Sequence, residues 1–424
     1  MTPTCIGLLL MRYGTVTAIG WVSLLVFGCG DDSASTAPAS DVQAIRVGQL
    51  TTLSGALARN GESWLATAKM AVAEINAAGG VLGRPFELVV ADTETDPDAA
   101  VAGARTLVAE GVVAIVGPQI SSSTLRVAQE ITIPANIPII SPSATSAEIT
   151  GLEDRELVWR TAASDLLKGR IVAEYAYDAD YRRAGIMFVD NSFGRGLMEE
   201  FVATFEALGG EVVNRVNYPE LDGDAIETYD YRPHAVAAMA DEPDLVYLIA
   251  FGNDGVKVMI NAESIVSETY RPKFITEMAP TTDLLPLVAI YEGLQGLEQR
   301  SPTTANRALF AANYTDRFGD VPGQYADGVY DAIYLLALAM QEGGQADAAT
   351  IRDHMREVSR SGAAVNVDDF TRASSLIDEN IDIDYEGASG SIDFDENGDV
   401  TSGTFRVWEV QNASFVDVST ITFP

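Results

Sequence analysis

Lysine is scarce in this 424-residue chain, which has only Lys69, Lys168, Lys257 and Lys273. Histidine is scarcer, with His234 and His354, and the cysteines are Cys5 and Cys29. Two distant histidines without cysteine partners give no metal-ligand spacing and no Cys–His pair for nucleophilic catalysis. A Gly-x-Ser-x-Gly elbow, a phosphate loop and a His-Glu-x-x-His motif are also absent. The acids are numerous, but no spacing singles out a catalytic pair. These absences argue against an enzyme, a cofactor and a resident metal. Positive charge is short, with 27 Lys and Arg against 61 Asp and Glu, a net charge of −34. Phosphate would be repelled, so a nucleic-acid partner is not expected. The acid excess suits a saline medium, which is an argument about solubility and not about fold.

No apolar run is long enough to span a bilayer comfortably. The run Ala18-Ile19-Gly20-Trp21-Val22-Ser23-Leu24-Leu25-Val26-Phe27 reads instead as the apolar part of a signal peptide over residues 1–28. Its positive flank is Arg12, directly after Met11, which makes Met11 an alternative start. Val26-Phe27-Gly28-Cys29 is similar to a bacterial lipoprotein cleavage box, though Phe27 stands where a small residue is usual. Cleavage there would remove Cys5 and leave Cys29 to be acylated, anchoring a soluble domain to a membrane. Chance placement of a free cysteine is the alternative. Residues 29–42 are small and polar and read as a flexible tether.

The chain beyond residue 42 is long enough for two domains, and 47% apolar content is enough for a sizeable core. Strand patterns at 45–50, 86–91, 112–116 and 137–140 alternate with helical periodicity at 62–77, 97–109 and 122–131. The rhythm restarts near Asp165, with strands at 184–189, 211–216, 245–249 and 273–275 between helices at 166–177, 196–208, 233–240 and 255–264. Helices at 307–318 and 326–341 come next without strands and are expected to return to the first half. Such alternation predicts parallel β-α-β units with ligands at the carboxyl ends of the strands. The tail is β-rich, at 390–394, 404–410 and 414–418. Its turn Asp393-Phe394-Asp395-Glu396-Asn397-Gly398-Asp399 imitates half a calcium loop, but Thr404 stands where the closing Glu belongs. Asn397-Gly398 favours a hairpin.

The most informative stretch is Gly117-Pro118-Gln119-Ile120-Ser121-Ser122-Ser123-Thr124, between an apolar run and a helix-like segment. Unpaired N–H groups and hydroxyls at a helix start can seat a small anion such as a carboxylate. The plainer alternative is that Ser121 or Ser122 only caps the helix.

Further signposts are Leu53-Ser54-Gly55, Glu74 to Gly83, Asp92, Asp96-Pro97, Ser141-Pro142-Ser143-Ala144-Thr145, Gly323-Gln324-Tyr325-Ala326, Tyr330-Asp331-Ala332 and Ile383 to Gly390. In this order and spacing the chain resembles the periplasmic leucine/isoleucine/valine-binding protein family, the type I solute-binding proteins of ABC importers. The resemblance covers essentially the whole mature chain. It implies an α/β fold of two doubly wound lobes with parallel central sheets joined by three crossovers. Lobe 1 would take 43–161 plus 298–402, and lobe 2 would take 162–297 plus 403–424. It also implies a cleft in which Ser121, Thr145 and backbone groups of Ser143 and Ala144 hold an amino acid's carboxylate, while Glu277 meets its ammonium. Asn60, Phe193, Phe251 and Tyr325 would line the pocket. Phe193 and Phe251 stand where amino-acid-binding members often carry Tyr, which leaves the exact ligand open.

Each residue has a plainer reading. Thr145 could be a helix cap ahead of Glu148, Glu277 a solvated loop acid, and the two phenylalanines ordinary core. Trp64 is expected in the core. The implied partners are a small-molecule ligand, ABC permease subunits and a membrane reached through the anchor. The implied state is monomeric, extracytoplasmic and non-catalytic. A ligand sensor without transport, or a receptor for a small amide, urea or aromatic acid, are the rival readings.

Overall fold

The structure, a computed structural model, describes residues 43–423 except 56 and 222. The segments expected to be a signal peptide (1–28) and a tether (29–42), with Cys29, lie outside the described residues. The first sheet is built from β1 (Ile45–Thr51), β2 (Phe86–Asp92), β3 (Ile115–Val116), β4 (Ile139–Ser141) and β5 (Val158–Arg160). Its order is β2-β1-β3-β4-β5 and every pairing is parallel. Helices Ala58–Ala77, Pro97–Ala109 and Ser121–Val127 connect these strands, the last running on through a π turn to Ala135. β3 is shorter than its apolar run 112–116 predicts: the chain bends at Val113, although the Val113 N–H already donates to the Arg46 carbonyl of β1 at 2.9 Å.

The second sheet contains β6 (Arg183–Val189), β7 (Glu211–Tyr218), β8 (Leu245–Ile249), β9 (Lys273–Thr276) and β10 (Gln295–Gln299). A small parallel pair comes next, β11 (Ala363–Val365) with β12 (Ile383–Tyr385). The last strands, β13 (Gly403–Gln411) and β14 (Ser414–Phe423), add antiparallel to β10, so the second sheet is mixed where parallel pairing alone was expected. Its order is β14-β13-β10-β9-β8-β6-β7.

The chain passes between the sheets three times: after β5, after β10 and before β13. The second passage leads to helices Ala305–Phe318 and Ala326–Gly343. The latter packs on helix Ala58–Ala77 and on β3 and β4, as the return to the first half requires. Its apolar residues face all round, and a helix of that kind must be buried. Only its last turn reaches the surface. Asp331 on this helix accepts from Tyr385 Oη, the Ala388 N–H, and the Ser389 N–H and Oγ at 2.6–2.9 Å. Those four bonds tie the segment 383–390 to the core.

The tail differs from expectation at 390–394, which forms isolated bridges at Ser391 and Phe394 in place of a strand. The 393–399 turn is closed by Asp395, which accepts from the Asn397 and Asp399 N–H groups at 2.8 and 3.0 Å. Asp399 is turned inward and committed to Arg160 (Oδ1–Nε and Oδ2–Nη2, both 2.6 Å). Two acids of the calcium-like pattern are therefore already occupied by the fold.

Candidate functional site

Segments from both sheets converge at their carboxyl ends, where an α/β sheet leaves room for a ligand. Ser121 follows β3, Thr145 follows β4, Phe193 follows β6, Phe251 follows β8 and Glu277 follows β9. A cavity of about 170 Å³ lies among them. The turn into this region needs Gly117: its φ is +95°, and a Cβ there would collide with the Leu50 carbonyl.

On the first-sheet side, Ser121 is the first helical residue and not the cap; Ile120 holds the cap position without a side-chain bond. The Ser121 Oγ accepts from the Ser146 N–H at 3.2 Å, which leaves its own proton free to donate. The Gln119 side chain reaches the same cavity with neither its amide nitrogen nor its oxygen paired among the described residues. Ser143 lines the cavity, its hydroxyl donated to the Gln119 carbonyl at 3.0 Å. Ala144 does not line it. Its N–H is donated to Ser141 Oγ at 3.1 Å and its carbonyl accepts from Arg160, so this expected contact is already spent inside the protein.

Thr145 is not the cap of the next helix, because Ser146 takes that place. The Thr145 hydroxyl instead lies 3.0 Å from Asp165 Oδ2. Asp165 is fully buried, and burial pushes its carboxyl up to about 7, against the pull of the Lys168 charge and the Thr145 bond. Arg160, also fully buried, holds the loop from beneath. It donates to the Ser146 carbonyl at 2.8 Å and to Thr150 Oγ1 at 2.6 Å, while Asp399 neutralises it. On this flank the two halves touch directly: Ser146 Oγ donates to the Ser192 carbonyl at 3.1 Å.

On the second-sheet side, Glu277 is no solvated loop acid; it is 6% exposed. Its carboxylate accepts from Tyr247 Oη and forms an ion pair with Lys168, which also lines the cavity. Burial disfavours the Lys168 charge, but Glu277 overrides it and holds the ammonium above the ordinary lysine value. Lys168 was not among the site residues expected from sequence. A signal was available. One of only four lysines falls at the end of the first turn of helix Asp165–Asp178, where the helix dipole disfavours a cation.

The walls are apolar and aromatic. Phe193 and Phe251 stack with centroids 5.5 Å apart and planes at 21°. Trp64 is core, as expected, but one edge also faces the cavity, with Nε1 donating to the Gln324 carbonyl at 2.7 Å. Asn60 completes that wall. Tyr325 enters from the start of helix Ala326–Gly343 at φ +60°, a left-handed conformation that costs about 1–3 kcal/mol. The structure thus brings together Ser121, Ser143, Thr145, Glu277, Asn60 and Tyr325, with Phe193 and Phe251, and leaves out Ala144.

A family model for periplasmic binding proteins matches residues 44–411. The chain is 28% identical over 367 residues to the chemotactic signal transduction system substrate-binding protein BasB of Halobacterium salinarum, covering 83% of each. It is 29% identical over 215 residues to a Leu/Ile/Val-binding protein of Rhizobium johnstonii, covering 50% of this chain and 56% of that one. The match therefore spans less than two thirds of the latter protein. Among solved structures, it superposes on the branched-chain amino acid transporter substrate-binding protein LivJ of Streptococcus pneumoniae, in complex with isoleucine. The TM-score is 0.71 at 20% identity, over 90% of this chain and 100% of that one. A solute-binding protein of R. palustris in complex with benzoate gives a TM-score of 0.68 at 18% identity, over 89% and 96%. At these identities the likeness of structures is one of fold.

Proposed function

The chain belongs to the periplasmic binding protein family, of the leucine/isoleucine/valine-binding type, and from that premise we propose that it delivers a small carboxylate-bearing solute to the permease of an ABC importer. The family is extracytoplasmic and binds ligands without catalysis. Within this reading, Cys29 carries the lipid anchor, and the lobes divide as 43–161 plus 298–402 against 162–297 plus 403–424. The carrying observation is the convergence of strand-end segments from both sheets on one cavity that has a donor-rich end at Ser121 and Gln119 and aromatic walls. A ligand contacting both halves favours the closed form, since only differential contact shifts such an equilibrium. The ligand is an amino acid or an acid of similar size. Ser121 and Thr145 meet its carboxylate, and Phe193, Phe251 and Trp64 meet its side chain.

The test is a thermal-shift screen of amino acids, small amides and aromatic acids. A ligand at a hundred times its dissociation constant adds about 2.7 kcal/mol of stability. The Ser121→Ala variant should lose most of the shift given by the best hit, and an undiminished shift would refute the assignment. A second reading is sensing without transport, favoured by the similarity to BasB along 83% of both chains. A permease that takes up the solute only when this protein is present would decide for transport.

A further inference from the structure

Resting on the reading that this cleft takes a small carboxylate, we propose that Lys168 sets its selectivity toward monocarboxylates that lack an α-ammonium, such as aromatic acids and branched aliphatic or 2-oxo acids. Glu277 is the acid placed to meet a ligand's ammonium, but Lys168 and Tyr247 already satisfy it. An arriving ammonium would have to share that carboxylate with a second cation, in a place with little water to screen the two. Lys168 is 5% exposed and Glu277 6%.

The charged group with spare capacity is a donor, and neutral donors stand beside it; the uncommitted acceptor is the neutral Gln119 side-chain oxygen, which carries no charge to balance an ammonium. The Lys168 ammonium has three N–H groups and gives one to Glu277. The Ser121 hydroxyl proton is free, and the Gln119 amide is unpaired among the described residues. Two carboxylate oxygens satisfy such a set, and no ammonium is needed. The walls agree: Lys168 Nζ lies 5.9 Å from the Phe193 ring centre, and Phe193 stacks on Phe251, so the cation sits beside a flat apolar slot. Both phenylalanines lack the hydroxyl that could accept from an ammonium.

The experiment is calorimetric titration of the purified protein with matched pairs: leucine against 4-methyl-2-oxopentanoate, and phenylalanine against phenylpyruvate, with benzoate as a fifth probe. The wild type should bind at least one ammonium-free acid tenfold or more tighter than its matched amino acid. Lys168→Gln should lose that preference or reverse it. Because this variant leaves Glu277 unpaired, the charge-neutral double variant Lys168→Gln/Glu277→Gln is measured beside it and should also lose the preference while staying folded. Tighter binding of either amino acid than its matched acid by the wild type, or a preference that survives in both variants, would overturn the role of Lys168 and leave the carboxylate reading standing. Failure of all five probes to bind the wild type would overturn both.

Discussion

The Lys168–Glu277 pair can be probed through stability alone, without knowing the ligand. Both groups are almost wholly buried, and Lys168 points at one carboxylate whose other oxygen already takes the Tyr247 hydroxyl. Removing one member leaves an uncompensated charge in a low-dielectric site, at a cost of about 3–5 kcal/mol. Lys168→Met and Glu277→Gln should each destabilise by that amount. The double variant should cost no more than about 1–2 kcal/mol, because neutral groups of similar volume replace a buried ion pair with little net change. The coupling energy should then be several kcal/mol and negative in sign, the double loss being smaller than the sum of the single ones. Urea unfolding of the four proteins at fixed pH, read by tryptophan fluorescence and circular dichroism, measures it. If Lys168→Met costs less than about 1 kcal/mol, the pair is behaving like a solvated surface contact, and the account of a dry, charge-balanced cleft is wrong.

Other consequences concern the supports of the site. Asp399→Asn strips Arg160 of its charge partner beneath the loop carrying Thr145; it should destabilise by about 3–5 kcal/mol and weaken ligand binding, measured by unfolding and titration. Binding of a monoanionic ligand should weaken as pH rises from about 6 to about 8. Asp165, raised to about 7 by burial, is protonated below that pH and can then donate to Thr145 Oγ1, which turns the Thr145 proton toward the ligand; above it, the carboxylate takes that proton back and adds a negative charge. The groups acting on Asp165 are Lys168, Glu277 and Arg160, with Thr145, and Asp165→Asn should flatten the profile. Ser146→Ala removes a hydrogen bond across the closed flank, worth about 1 kcal/mol. It should shift the unliganded protein toward the open form, seen as a larger radius of gyration in X-ray scattering.

The fold was legible wherever an element buries its own pattern. β8 is an unbroken apolar run, β1 and β6 are mostly apolar and buried at all but one position each, and helices Pro97–Ala109 and Ala305–Phe318 carry regular apolar stripes. The misses are elements whose existence depends on neighbours. β5 and β10 are short, and β10 includes Gln295, Glu298 and Gln299; it is a strand because β9 and β13 flank it. β11 and β12 are three residues each and exist as a pair. At 390–394 the local pattern favoured a strand, but no neighbouring strand among the described residues offers a ladder, and single bridges result. Helix Ser192–Ala207 begins four residues before the expected Gly196 because Asn191 caps it, its side chain accepting from the Gly194 N–H at 2.9 Å.

The site divides along a different line. Ser121 and Glu277 could be read as cleft positions because they come after strand ends that are visible in the sequence, whereas Asn60, Phe193, Phe251 and Tyr325 were placed there by the family resemblance. What each side chain has left to offer a ligand could not be read, because that depends on partners far away in the chain. Glu277 as an isolated letter is a free carboxylate; in the fold it belongs to Lys168 and Tyr247. Thr145 as a letter is a hydroxyl donor, yet it shares a proton with Asp165, and the Ala144 N–H is spent on Ser141. Ser121 keeps its donor because what it accepts is a backbone N–H, a bond that consumes only a lone pair. A binding site inferred from residue identity therefore describes capacity, whereas selectivity depends on the capacity that remains after the protein has satisfied itself. By that measure this cleft has kept hydrogen-bond donors and a cation and has covered its acid, which is why the ammonium of a zwitterion is the group it should discriminate against.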